Sequence, residues 1–224
     1  MSSLARRAVA EMIGTAILVF FGCGAIIMDK FPDAAYHIFG IAIIQAVAYA
    51  LAISMTMATS GGHCNPAVTL GLLAVRRIGL RDAFVYVVSQ LVGALVAAFA
   101  VRTALPESVG HVLAYGTPVL SGTVTFSSGV VLEAIFTFVL MSAMMATVVA
   151  RNAPRIGGFG VGLTLIPIVT IGAPLTGGIA NPARAFAPAI ISGNVTAQAV
   201  WWIGPIVGAI LAAMVWQYVI LERE

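Results

Sequence analysis

Apolar residues gather into six long stretches along this chain, separated by segments that carry most of the Arg and Pro. The stretches are Arg7–Met28, His37–Met57, Ala83–Arg102, Ser128–Ala150, Gly158–Pro174 and Ala197–Leu221. An α-helix needs about 20 residues to cross a ~30 Å hydrocarbon core, so the pattern predicts six transmembrane helices. The fifth stretch holds Pro167, which lacks a backbone donor and predicts a kink or irregular turn there. Two further apolar segments, Asn65 to about Arg76 and Asn181 to about Ser192, are too short to cross. About 12 residues rising ~1.5 Å each reach roughly 18 Å, so both are expected to be half-helices that enter the bilayer and stop near its centre.

Composition agrees with a membrane solvent. Of 224 residues, 61% are hydrophobic and 8% charged, against about 25% charged in an ordinary soluble domain. A water-soluble fold of this size could not hide that much apolar surface. The net charge of +3 is spread over segments that flank the apolar runs, which reads as a topology signal and not as a nucleic-acid surface. Arg6 and Arg7 precede the first run, Arg76, Arg77 and Arg81 lie between the second and third, Arg151 and Arg155 between the fourth and fifth, and Arg223 follows the sixth. The opposite side holds Lys30, Arg102 and, if it faces there, Arg184. The positive-inside rule then makes both termini cytoplasmic in a multi-pass protein of the cell (inner) membrane. Cys23 and Cys64 have no C-x-x-C spacing, so neither a disulfide nor a metal site is expected. The first run continues past the length of a signal-peptide core, so no cleavable leader is expected.

The two halves repeat one another. Glu11-Met-Ile-Gly-Thr15 opens the first run and Glu133-Ala-Ile-Phe-Thr137 opens the fourth. Each half then reads as three crossings with a half-helix between its second and third. Three is odd, so the second copy is expected upside down, and the half-helices enter from opposite faces. The expected architecture is one all-α channel domain over 1–224, with repeat one at about 7–102, an extracellular connection at about 103–126 and repeat two at about 128–221.

Each half-helix begins at an identical triplet, Asn65-Pro66-Ala67 and Asn181-Pro182-Ala183, led by Ser60-Gly-Gly-His-Cys and Thr176-Gly-Gly-Ile-Ala. Asn is a favoured N-cap, and Pro suits the first helical position because its missing N–H would be orphaned anyway. A capped helix start at membrane depth must be buried in protein or line an aqueous cavity. The glycines of each lead-in suit an extended backbone whose carbonyls line that cavity, so Gly62, His63, Cys64, Ile179 and Ala180 are candidate lining residues. Two amino ends meeting at the midplane each carry about half a positive charge. They repel cations, while a neutral molecule crosses at little cost and accepts hydrogen bonds from Asn65 and Asn181.

The paired Asn-Pro-Ala boxes, Arg184 after the second, the Ser60-Gly-Gly-His63 lead-in and the Glu-x-x-x-Thr openings together resemble the aquaporin and aquaglyceroporin (major intrinsic protein) family. The resemblance covers nearly the whole chain. It implies six spans plus two half-helices, a pore in each protomer and a homotetramer. It places Arg184 in a narrow extracellular selectivity filter, with Gln45, Val169 and Gly178 at the other filter positions. Strict water channels of the family pair an aromatic with a histidine at the first two of these positions, so a wider filter is implied here. Pro174-Leu-Thr-Gly177 looks like a glycerol facilitator, whereas Ala185, Ala189, Trp201 and Trp202 look like the water-channel branch.

The expected function is passive passage of water and small uncharged solutes, with glycerol, urea, ammonia or metalloid acids possible and ions and protons excluded. It needs no cofactor, metal or catalytic residue. The buried carboxylates Glu11 and Glu133 also fit a broken-helix transporter that couples to protons. Their symmetric placement favours a scaffold role, accepting N–H groups of the re-entrant loops, with Gln90 serving similarly. His63 is expected as part of the cytoplasmic pore wall in preference to a protonation gate.

Overall fold

The structure, a computed structural model, describes residues 3–221; Arg223 lies outside them. Among the described residues all regular structure is helical. In chain order the helices are α1 (Ser3–Met28), α2 (His37–Ser60), half-helix α3 (Pro66–Ala74), α4 (Leu80–Ala104) and the short α5 (Glu107–Gly110). The second half follows with α6 (Phe126–Met144), α7 (Gly158–Leu163), α8 (Leu165–Gly172), half-helix α9 (Pro182–Ser192) and α10 (Val200–Val215). One π-helical turn extends α6 through Val149 and another extends α10 through Ile220. The six crossings and two half-helices form two inverted repeats, as the hydropathy pattern predicts.

Five crossings are single helices long and apolar enough to span a bilayer. The fifth crossing is α7 and α8, joined at Thr164, and Pro167 explains the break. The proline ring conflicts with the carbonyl four residues earlier, that of Leu163. The chain answers with a tighter bond, Thr164 N–H to the Val161 carbonyl at 3.1 Å. The half-helices fall short of the expected length. Helix α3 has nine residues and α9 eleven, roughly 13 and 17 Å at ~1.5 Å per residue. Helix α3 stops early because the backbone turns left-handed at Arg76, φ +59°.

Equivalent helices pack alike in the two halves. Helix α1 lies along α4 and α6 along α10, while α2 joins the halves through α7 and α8. The half-helices are exchanged, α3 packing on α10 of the other repeat and α9 on α4. Two glycines let the long pairs approach. A Cβ on Gly93 would sit 2.1 Å from the Met12 carbonyl oxygen, and one on Gly208 would sit 2.1 Å from that of Ala134. Both obstacles are backbone, which cannot swing aside. Gly93→Ala and Gly208→Ala should each cost about 3 kcal/mol or more by overpacking and lower the melting temperature in detergent. Gly122→Ala, with open space around it, should melt like the parent; matching melting points for all three would refute the close-approach argument.

The burial pattern is inverted relative to a water-soluble fold. Phe21, Phe39, Phe84, Phe99 and Leu211 are exposed on the perimeter, while Glu11, Gln90, Glu133, Asn65, Asn181 and Arg184 are buried. Ionisable groups inside a bundle and apolar groups around it suit hydrocarbon outside and a polar path within. Cys23 and Cys64 are both buried free thiols.

Candidate functional site

The site begins where α2 ends. Gly61 caps it in a left-handed conformation, its N–H bonding the Met57 carbonyl at 3.0 Å. The lead-in then turns back toward the bundle centre, with φ +90° at Gly61, +63° at Gly62 and +48° at Cys64. The second lead-in repeats this, with +92° at Gly177, +60° at Gly178 and +50° at Ala180. Both segments are therefore tightly turned where the sequence suggested extended backbone. Reversing direction within four residues needs left-handed residues, which Gly supplies freely and Cys64 and Ala180 only with outside support.

The support is carboxylate. Glu11 accepts from the Ser60 hydroxyl (2.6 Å), the His63 N–H (2.9 Å), the Cys64 N–H (2.6 Å) and the Gln90 side-chain amide (2.7 Å). Glu133 accepts from the Thr176 hydroxyl (2.6 Å), the Ile179 N–H (3.1 Å) and the Ala180 N–H (2.7 Å). Each glutamate thus collects the donors of one turned loop. Thr15 and Thr137 bond back to the carbonyls of Glu11 and Glu133 at 2.8 and 2.7 Å. The first carbonyl of each loop is held as well: Tyr86 donates to Ser60 O at 2.8 Å, and Trp201 Nε1 donates to Thr176 O at 2.9 Å.

The two loops deliver their asparagines to one point. Asn65 caps α3, its side-chain oxygen accepting from the Ala67 N–H at 2.8 Å, and Asn181 caps α9 through the Ala183 and Arg184 N–H groups at 3.0 and 3.3 Å. Each amide nitrogen then crosses to the other repeat: Asn65 Nδ2 donates to Ala180 O at 2.8 Å and Asn181 Nδ2 to Cys64 O at 3.0 Å. The amino ends of both half-helices therefore face each other across a reciprocal brace. A carboxamide has two N–H donors, so one remains on each; the Tyr49 hydroxyl, which bonds His63 O at 3.2 Å, stands beside that of Asn65. Cys64 offers its carbonyl here, because its thiol points at Gly14 and the Thr56 hydroxyl, 3.6 Å away.

A cavity lies beyond each lead-in. One, of about 270 Å³, is lined by Ser60, Gly61, His63, Arg7, Arg77 and Tyr86 among others. Within it His63 Nδ1 is 3.0 Å from the Thr69 hydroxyl, and the imidazole meets the Tyr86 ring edge-on. The second cavity, of about 220 Å³, is lined by Gln45, Val169, Gly116, Gly177 and Ile179 among others. Arg184 borders it through a 2.9 Å bond from Nη1 to the Gly116 carbonyl, leaving Nε and Nη2 buried without protein partners. Gln45 comes close: a methyl placed on Gly22 would lie 3.0 Å from Arg184 Nε and 3.3 Å from Gln45 Oε1. Gly178 stands behind Val169, where a Cβ would be 3.1 Å from the Val169 Cα.

Gly116 and Tyr86 hold this arrangement and no motif announces them; Trp201, noted in the sequence for its likeness to the water-channel branch, holds it as well. The hydroxyls of Ser60 and Thr176 stand at matching places, each five residues before its Asn. Trp201 lies fully inside the protein.

Residues 1–216 match the family model described as Major intrinsic protein. The chain belongs to the major intrinsic protein family. Relatives of this major intrinsic protein include human Aquaporin-5, 36% identical over 218 residues, covering 96% of this chain and 81% of that one. Aquaporin TIP4-4 of Zea mays is 37% identical over 223 residues, covering 94% and 85%. Among solved structures, the aquaglyceroporin from Plasmodium falciparum shares the fold with a TM-score of 0.84 at 23% identity, covering 97% of both chains.

Proposed function

We propose that each protomer is a passive channel in which water and small uncharged solutes pass the Asn65–Asn181 brace and a filter formed by Gln45, Val169, Gly178 and Arg184, with ions and protons excluded. The observation that carries this is the meeting of two helix amino ends at hydrogen-bonded asparagines, with a cavity toward each face. Two half-charges on the path oppose a cation, and the Asn amides and the free Arg184 donors supply hydrogen bonds that replace lost hydration. As a member of its family the chain is a membrane channel for water and small solutes and not an enzyme. The same reading makes it a homotetramer of the cell membrane with cytoplasmic termini, each repeat contributing one half-helix to a single channel domain.

The filter carries neither an aromatic nor a histidine at Gln45 and Val169, which makes it wider and less water-specific, open to solutes such as glycerol, urea, ammonia or undissociated metalloid acids. Stopped-flow light scattering of proteoliposomes under water, glycerol and urea gradients tests the reading. Val169→Phe should cut glycerol flux about tenfold and water flux far less, since a fully buried aromatic fills space the larger solute needs. Equal losses for both would remove the wide-filter reading. Gly178 cannot serve for this test, because its φ of +60° and a Cβ only 2.5 Å from Ile168 O would strain any side chain.

A further inference from the structure

The connection between the repeats reaches into the filter, and its backbone is held in an unfavourable shape. Ala114, Tyr115 and Gly116 take φ +46°, +52° and +79° in succession. Left-handed backbone at Ala114 and Tyr115 is disfavoured by the clash of Cβ with the following carbonyl, and such segments persist only where their surroundings over-determine them. The surroundings here converge on Tyr115. Its hydroxyl donates to Glu107 Oε1 at 2.7 Å, the Arg102 guanidinium lies 5.6 Å from its ring centroid, and Gly110 packs on the ring so closely that a Cβ would touch it at 3.3 Å. The next residue is Gly116, whose carbonyl is the sole partner of the Arg184 guanidinium among the described residues. Thr117 ties the far side of the strap to Ser192, at the end of α9, at 3.0 Å.

We propose that Tyr115, clamped by Glu107 and Arg102, is a positioning residue for the filter: it fixes the Gly116 carbonyl and thereby sets how far Arg184 stands into the path. This rests on the reading of Arg184 as a filter cation. When the clamp loosens, the strap relaxes toward ordinary backbone and Arg184 Nη1 loses its acceptor. The guanidinium then swings toward Gln45 Oε1, which narrows the passage. Tyr115→Phe keeps the ring and its packing but removes the hydroxyl. Glu107→Ala removes the acceptor from an exposed position, and Glu107→Gln restores an acceptor oxygen.

The test is water permeability of proteoliposomes at matched protein content. Tyr115→Phe and Glu107→Ala should each lower it about threefold, the effect of losing one partly exposed hydrogen bond, while Glu107→Gln stays near the parent. In an Arg184→Val background, Tyr115→Phe should change nothing, because the group it positions is gone. A Tyr115→Phe loss that persists in that background would mean a merely structural role and overturn the proposal, as would full permeability in both single variants. Should Arg184→Val by itself leave solute and ion discrimination unaltered, the filter reading fails, and the clamp with it. If Arg184→Val alters discrimination and Tyr115→Phe does not alter flux, the clamp alone fails.

Discussion

Arg184→Val is expected to raise proton and small-cation leak through the reconstituted protein by at least about fivefold, while water still passes. The reason is electrostatic. Two unit charges about 4 Å apart repel by ~1 kcal/mol in bulk water and ~4 kcal/mol at the effective dielectric of a protein surface. A filter holding a few waters lies between those limits, so removing the guanidinium lowers a cation's barrier by an amount that spans roughly five- to several-hundredfold in rate. The gain is bounded because the two helix amino ends at Asn65 and Asn181 stay in place, each with about half a charge. Vesicles loaded with a pH-sensitive dye, held under a potassium diffusion potential, report the leak directly. A variant with intact water flux and parental leak would show that the brace does all the excluding and that Arg184 does none.

How far such positions can be read from sequence depends on whether their cause is local. The six crossings were legible because hydrocarbon demands long apolar runs, and the half-helices because Asn-Pro is both a cap and a start signal. The glutamates were legible because the same offset recurs in both halves. The turned backbone before each Asn was not, since Cys64 and Ala180 take positive φ only because Glu11 and Glu133 gather their N–H groups from another helix. The Gly116 carbonyl was invisible for the same reason: its bond to Arg184 spans 68 residues and uses a backbone atom that every residue has. The break at Thr164 lies between these cases, its cause written at Pro167 but its position fixed by the carbonyl that the ring displaces.

The repeats differ where function would need them to differ. Aligning Gly93 with Gly208, which fill matching contacts on α1 and α6, pairs Gln90 with Pro205 and Tyr86 with Trp201. Aligning Asn65 with Asn181 pairs His63 with Ile179 and Thr69 with Ala185. One half thus builds a polar chain, His63 to Thr69 to Gln90 to Glu11, and the other fills the same space with apolar groups. The backbone scaffold is duplicated while the side-chain chemistry at its two ends is not. The Arg184 end keeps few polar side chains, Gln45 and Thr117 among them, in a largely apolar wall, while the His63 end offers a graded set of hydrogen-bonding groups.

Removing either buried carboxylate should strongly destabilise the folded channel, and this separates a scaffold from a proton carrier. In Glu133→Ala the Thr176 hydroxyl and the Ile179 and Ala180 N–H groups lose their acceptor together. Each buried orphan costs ~1–3 kcal/mol, so the sum takes up a large part of the ~5–15 kcal/mol that holds a typical domain together. Glu11→Ala strands a fourth donor, the Gln90 amide, and should melt lower still. The Gln variants keep one acceptor oxygen but turn an NH₂ toward N–H donors, so they should fall between the parent and Ala. Melting temperature and monodisperse yield in detergent give that ranking. A proton-coupled transporter predicts otherwise: Glu11→Gln or Glu133→Gln would fold normally, and solute uptake would lose its sensitivity to protonophores. Parental melting in the Ala variants would remove the scaffold role; protonophore-sensitive uptake by the parent protein would replace the passive channel with a coupled one.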